Sequence, residues 1–211
     1  PASVNLGLCS ASLQAIGTGL QAIRQGRVDV AIVGGISAKI TPEHYIGLES
    51  VDIIATDDRL DPTALSRPFE MRRSGYVPAE GAVLFLLESL ESCLQGGREP
   101  LLELVGYGTS TNASHIVKPA LDSREMKLSM TRALANAGLC ARNISMVNAH
   151  GTSTILNDVH ESAAICAVLG EQVPVTLGRQ IGDLQEVTGG TLKSGERVVL
   201  APGDTVLGMS L

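Results

Sequence analysis

Two features of this chain predict a mixed α/β architecture with covered sheets, and a third sets its tail apart. Short apolar or β-branched runs alternate with stretches whose apolar residues recur at helical spacing. The runs at Val28–Val33 and Gly81–Leu87 are apolar enough for strands buried on both faces. Beyond residue 176 the rhythm changes, and closely spaced turn signals read as β-hairpins.

Taken in order, Ser3–Leu8 is short and apolar enough for a strand. Ser10–Gln25 carries Leu13, Ile16, Leu20 and Ile23 on one helical face, and Gly26 suits the position just past a helix end. Val28–Val33 follows as a strand closed by Gly34 and Gly35. Residues 36–78 have weak periodicity and many breaks, which predicts loops with short helices. Gly81–Leu87 is the next strand, and residues 95–100 form a turn-rich joint. Then come a strand at Leu101–Tyr107, a helix at Ser123–Ala137 ending at Gly138, a strand at Ser145–Ala149, a helix at Asp158–Leu169 and a strand at Val173–Thr176. The organisation is residues 1–95, 101–176 and a β-rich tail at 177–211.

Composition narrows the function. Hydrophobic residues at 44% against 18% charged mark a globular chain able to bury a core. A net charge of −6 and 2% aromatics oppose a phosphate backbone and a base-stacking surface, so no nucleic-acid partner is expected. Cys9, Cys93, Cys140 and Cys166 lie far apart with no CxxC pair, which predicts neither a disulfide framework nor a metal site and fits a reducing, cytoplasmic compartment. No apolar run reaches the length of a membrane span. The chain opens on Pro1-Ala2-Ser3-Val4, without an initiator Met or a signal segment, and reads as a piece of something longer.

Two places carry chemistry. Cys9 stands where a helix opens, and there unpaired backbone N–H groups and the positive end of the helix dipole favour thiolate. Its small neighbours Gly7, Ser10 and Ala11 leave room for an acyl group; the alternative is a packed, inert thiol. His150 lies in Asn148-Ala149-His150-Gly151-Thr152-Ser153-Thr154, directly after an apolar strand, where open α/β sheets place ligands. Gly151 permits close backbone approach, and Thr152 and Thr154 offer hydroxyls. The alternative for His150, and the default for His44, His115 and His160, is a surface or structurally satisfied histidine.

The segments Cys9-Ser10-Ala11-Ser12-Leu13 and Asn148–Thr154 resemble the two signatures of β-ketoacyl-carrier-protein synthases, the elongating ketosynthases. Ser66-Arg67-Pro68-Phe69, the run Gly75–Gly81, Leu86-Leu87-Glu88, Asn112–His115 and Asn157–Glu161 fall in that family's order, over residues 1–176. The resemblance implies an incomplete thiolase-like fold layered α/β/α/β/α, normally a homodimer, with an acyl carrier protein as partner. It implies no bound cofactor, because substrates ride on the carrier's phosphopantetheine. Cys9 would take the acyl group as a thioester, and His150 would polarise a malonyl thioester as it loses CO₂. The Cys9 backbone N–H would be half of an oxyanion hole, with Thr152 and Thr154 at pantetheine-contacting positions. Glu161 matches a structural or ion-organising glutamate; equally, it suits the third position of a capping box opened by Asp158.

Departures accompany the resemblance. The family's second histidine belongs to a Lys-Ser-Met-Thr-Gly-His motif, and here Arg179 and Leu184 stand at the lysine and histidine positions. The Gly-Phe-Gly-Gly-Thr-Asn segment is absent, Glu70 replaces the usual Asp, and Ser74 precedes Gly75. Residues 177–211 weakly resemble the C-terminal β segment of periplasmic efflux adaptors, so a chimaeric gene product, or a hairpin capping the sheet, is an alternative for the tail. Three functions stay open: a ketosynthase-derived enzyme, a non-catalytic carrier- or pantetheine-binding module, and an unrelated Cys–His acyltransferase or hydrolase. A chain of this extent is expected to leave sheet edges and apolar faces uncovered.

Overall fold

A computed structural model describes residues 2–56, 61–115 and 118–171, together with five short strands between 175 and 209. Residues 2–7 form no strand, and Leu8–Ser10 make a single 3-10 turn. Apolarity makes the segment suitable for a strand, but a strand needs a hydrogen-bonded neighbour. Val4 and Leu6 are exposed instead.

Helix α1 (Ala11–Arg24) buries Leu13, Ile16 and Leu20, the face expected from their spacing. Strand β1 (Val30–Ser37) runs on through Gly34 and Gly35 instead of stopping there. After helix α2 (Pro42–Glu49), and beyond a 3-10 turn at Pro62–Ala64, comes strand β2 (Gly81–Glu88), antiparallel to β1 in a two-stranded sheet. Helix α3 (Leu90–Gln95) leads into the joint and strand β3 (Leu102–Tyr107). Helix α4 (Arg124–Ala137) ends at Gly138, whose φ of 68° is the left-handed cap that glycine accepts without a Cβ clash. Strand β4 (Met146–Asn148) then feeds helix α5 (Ile155–Leu169), followed by strand β5 (Val175–Thr176).

Four short strands are described within 177–211, and the turn signals between them lie outside the described residues. Strands β6 (Gln180–Ile181) and β7 (Leu184–Gln185) pair antiparallel, as do β8 (Glu196–Ala201) and β9 (Thr205–Met209). The β8–β9 pair does not cap the edge of the sheet. It enters the middle of a five-stranded sheet in the order β3-β8-β9-β4-β5, with β8 parallel to β3 and β9 antiparallel to β4.

Packing stacks these elements in layers. Leu13, Ile16 and Val33 form one small core, into which Ala31 and Leu87 pack from the first sheet and Leu104 and Tyr107 from β3, so α1 lies between the two sheets. The larger core lies on the α4–α5 side and unites Val105, Met130, Ala133, Leu134, Val147, Ala164 and Ile165. Ala133, Val147, Ala149 and Ala164 are fully buried. The outer face of β1–β2 is open: Ile32 pairs with Leu86, Ile36 with Ala82, and Ile32 and Ile36 are each 73% exposed. β1 and β2 are therefore covered by α1 on one face only, and not buried on both faces as their apolar runs predict, because among the described residues none buries the other side.

The contact between β3 and α4 needs glycine. A Cβ on Gly108 would lie 2.3 Å from the Ala133 nitrogen and 2.3 Å from the Ser129 oxygen, both backbone atoms that cannot swing aside. Gly108→Ala is therefore expected to cost about 1–3 kcal/mol through overpacking. Urea unfolding of the variant, showing a lower midpoint with an unchanged slope, checks this.

Candidate active site

Cys9 sits in the 3-10 turn ahead of α1, one residue before the helix cap Ser10, and is exposed. Leu8, just before it, has a φ of 52°, a left-handed backbone that costs a non-glycine residue about 1–3 kcal/mol. The turn is pinned on its other side: Ser10 Oγ donates to the Gly7 carbonyl at 2.8 Å, and Gln14 Nε2 donates to Ser10 Oγ at 2.6 Å. Cys93 is the opposite case. It is 5% exposed, and burial, reinforced by Glu88, pushes its thiol up, away from the reactive form.

His150 lies two residues past β4, on the loop that enters α5. Glu161, 2% exposed, reaches back from the second turn of the helix to that loop. One carboxylate oxygen accepts the His150 backbone N–H at 2.7 Å; the other accepts the Gly151 N–H at 2.9 Å and Asn157 Nδ2 at 3.2 Å. A carboxylate needs such donors to be buried at all, and in return it fixes the backbone that carries the histidine. The capping box does not form. Thr154 is extended, and its hydroxyl accepts the Asn157 N–H at 3.3 Å, so α5 starts ahead of Asp158.

Thr152 and Thr154 come together on this loop, their hydroxyl oxygens 2.9 Å apart. One hydroxyl proton lies between them, which leaves the other to donate to an outside acceptor such as an amide carbonyl. The structure thus gathers His150, Thr152, Thr154 and Glu161 at the β4–α5 junction, and places Cys9 at the head of α1. Arg179 lies outside the described residues, and Leu184 is in β7. Among the described residues no His, Cys, Asp or Glu cluster could hold a metal, and no helix is long and apolar enough to cross a membrane.

The 66–69 segment has no evident task in the sequence, and the structure supplies one. Asp158, 2% exposed, accepts the Phe69 N–H at 2.8 Å and lies 3.4 Å from Arg73 Nε. Ser153, fully buried, accepts the Arg67 N–H at 3.0 Å. Phe69 and Ser153 have φ of 62° and 66°, so this seam carries two left-handed non-glycine residues. Nearby, Glu70 is held below the usual carboxylate range, first by its hydrogen bond from Arg72 and with help from Arg67.

The family model for the β-ketoacyl synthase N-terminal domain matches residues 1–92, and that for the β-ketoacyl synthase C-terminal domain matches residues 101–190. The chain belongs to the β-ketoacyl synthase family. This ketosynthase match runs on to residue 190, beyond the limit at 176 drawn from the motifs. The chain is 38% identical over 170 residues to 3-oxoacyl-acyl-carrier-protein synthase 2 of Synechocystis sp., covering 81% of this chain and 41% of the relative. It is 36% identical over 171 residues to the tetracenomycin polyketide synthase ketoacyl synthase alpha subunit of Streptomyces glaucescens, covering 80% and 40%. The ketosynthase chain therefore spans about two fifths of the length of these curated relatives.

Solved structures agree on the fold. A chain from a type II PKS acyl-carrier protein in complex with its ketosynthase bound to the hexaketide matches with a TM-score of 0.80 and 25% identity, over 96% of this chain and 61% of that one. A β-ketoacyl synthase from Burkholderia phymatum matches at 0.72 and 26%, over 96% and 60%. The fold is thus an incomplete ketosynthase, thiolase-like α/β fold.

Two outcomes test the site. Glu161→Ala is expected to destabilise the chain by about 1–3 kcal/mol for each backbone N–H left orphaned, with Glu161→Gln milder, as read from thermal unfolding. Iodoacetamide followed by peptide mapping is expected to label Cys9 in the folded chain and Cys93 only after unfolding.

Proposed function

We propose that this chain performs the acyl-transfer chemistry of a β-ketoacyl synthase in fatty acid or polyketide synthesis. Cys9 Sγ attacks the thioester carbonyl of an acyl group carried on phosphopantetheine; the carrier thiol leaves, and the acyl group stays on sulfur. A malonyl thioester on a second carrier then loses CO₂, and its carbanion attacks the Cys9 thioester and expels the thiolate. His150 donates a hydrogen bond to the malonyl thioester oxygen as enolate charge develops. The backbone N–H of Cys9 stabilises the oxyanion formed on the acyl carbon. Thr152 and Thr154 hold the pantetheine arm through the spare hydroxyl proton of their pair. The partner is an acyl carrier protein, the working unit a homodimer, and the compartment the cytoplasm.

The grip of buried Glu161 on the His150 and Gly151 amides carries this reading. Such a grip restricts the backbone of a histidine that would otherwise move with its loop, which is the preorganisation that electrostatic catalysis needs. Arg179 and Leu184 lower the expected rate of condensation, because one missing donor to developing charge typically costs about 10²–10³-fold.

Incubation with an acyl-carrier protein followed by intact-mass analysis tests the first half-reaction. The acyl mass is expected on the wild-type chain and absent from Cys9→Ala; no adduct on the folded wild type refutes it. Malonyl-carrier decarboxylation tests the second, with a loss of about 10²-fold expected for His150→Ala. Departures at the second-histidine position favour one competing reading, a carrier-binding module. Undiminished carrier binding by Cys9→Ala with no decarboxylation by the wild type would support that module instead.

A further inference from the structure

Arg73 lies in a polar stretch of sequence, yet its side chain is only 11% exposed. Its guanidinium meets the first turn of α5 on several atoms: Nε donates to the Thr154 carbonyl at 3.2 Å and Nη2 to the Ile155 carbonyl at 2.9 Å. Nη1 donates to the Glu70 carbonyl at 3.0 Å, which ties the same group to its own loop. A cation at a helix N-terminus opposes the helix dipole, so this placement needs a compensating anion. Buried Asp158 supplies it, 3.4 Å from Nε. The arrangement competes with the helix itself, because the Asp158 N–H reaches the Thr154 carbonyl at only 3.4 Å.

The His150 loop is thus held at both ends. Glu161 grips it at His150 and Gly151. At the far end Arg67 holds Ser153, and Arg73 holds Thr154 and Ile155. Phe69, tied to Asp158, and Ser153, tied to Arg67, are both left-handed at this second junction, and such backbone persists only where its surroundings over-determine it. We propose that Arg73 is a positioning residue for His150: its planar fork locks the first turn of α5 to the 66–73 loop and so fixes the path of the loop that carries the imidazole. A lysine at this place offers a point charge and no fork, so it would pair with Asp158 without bridging both carbonyls.

The inference rests on the assignment of His150 above, and its test separates the two. Amide hydrogen exchange is measured in the wild-type chain, Arg73→Met and Arg73→Lys. In Arg73→Met the His150 and Gly151 amides are expected to exchange roughly tenfold faster, while those of Ala133, Leu134 and Val147 keep their protection, because the opening is local. Arg73→Lys is expected to restore that protection only in part. Malonyl-carrier decarboxylation is expected to lose about 10–10²-fold in kcat in Arg73→Met with KM unchanged, the cost of a small misplacement. Alkylation of Cys9 by iodoacetamide stays at the wild-type rate.

Uniform acceleration across α4 and β4 would make Arg73 a general stabiliser and overturn the proposal; so would full rescue by lysine or an unchanged loop. If Arg73→Met does not fold, Arg73→Lys carries the comparison, and wild-type loop protection in it overturns the proposal. A wild-type chain without decarboxylation refutes the assigned chemistry, and the exchange data then judge the positioning role by themselves.

Discussion

A buried carboxylate must collect donors, and Glu161 collects two of them from the backbone of the loop that bears His150. That constraint organises the second half of the molecule. It fixes the phase of α5 relative to β4, because the carboxylate has to face back across the first turn. The same phase turns Asp158 toward Phe69 and Arg73, and Ala164 and Ile165 into the large core. An apolar residue at 161 would leave both amides without their partner inside the protein. The fold and the proposed chemistry thus share one interaction, a carboxylate kept buried and paired.

The first half meets the second through β3. Leu104 and Tyr107 pack with α1, while Val105 joins the core of α4 and α5. Arg24, at the end of α1, adds polar ties across the same junction: Nη2 donates to the Val105 carbonyl at 2.7 Å, and Nη1 to Asn136 Oδ1 at 3.0 Å. Cys9 heads the helix that these contacts hold, so the sheet that anchors β4 and the His150 loop also anchors the helix that follows the thiol. This common wall is the physical basis of the proposal that the two act on one acyl chain.

Much of this was legible in the residues, for identifiable reasons. The Leu13, Ile16 and Leu20 face of α1 and the glycine cap of α4 are local features, written in spacing and backbone freedom. The place of β8 and β9 between β3 and β4 was not legible, since strand order is decided by distant partners. Ser3–Leu8 failed as a strand for the same reason: its residues permit one, and among the described residues no strand pairs with it. At the site, Cys9, His150, Thr152, Thr154 and Glu161 stood out through motif and position. Arg73 and Asp158 did not, because an arginine in a polar stretch reads as a surface group until the fold buries it.

The central claim is that the sulfur at position 9 and the imidazole at position 150 serve one acyl pocket. Treating the folded chain with the short bifunctional alkylator dibromoacetone, then mapping peptides by mass spectrometry, tests it most directly. The account predicts a single bridge between Cys9 and His150, absent in Cys9→Ala. Modification of Cys9 with no bridge to His150, or with a bridge to a different side chain, would contradict it.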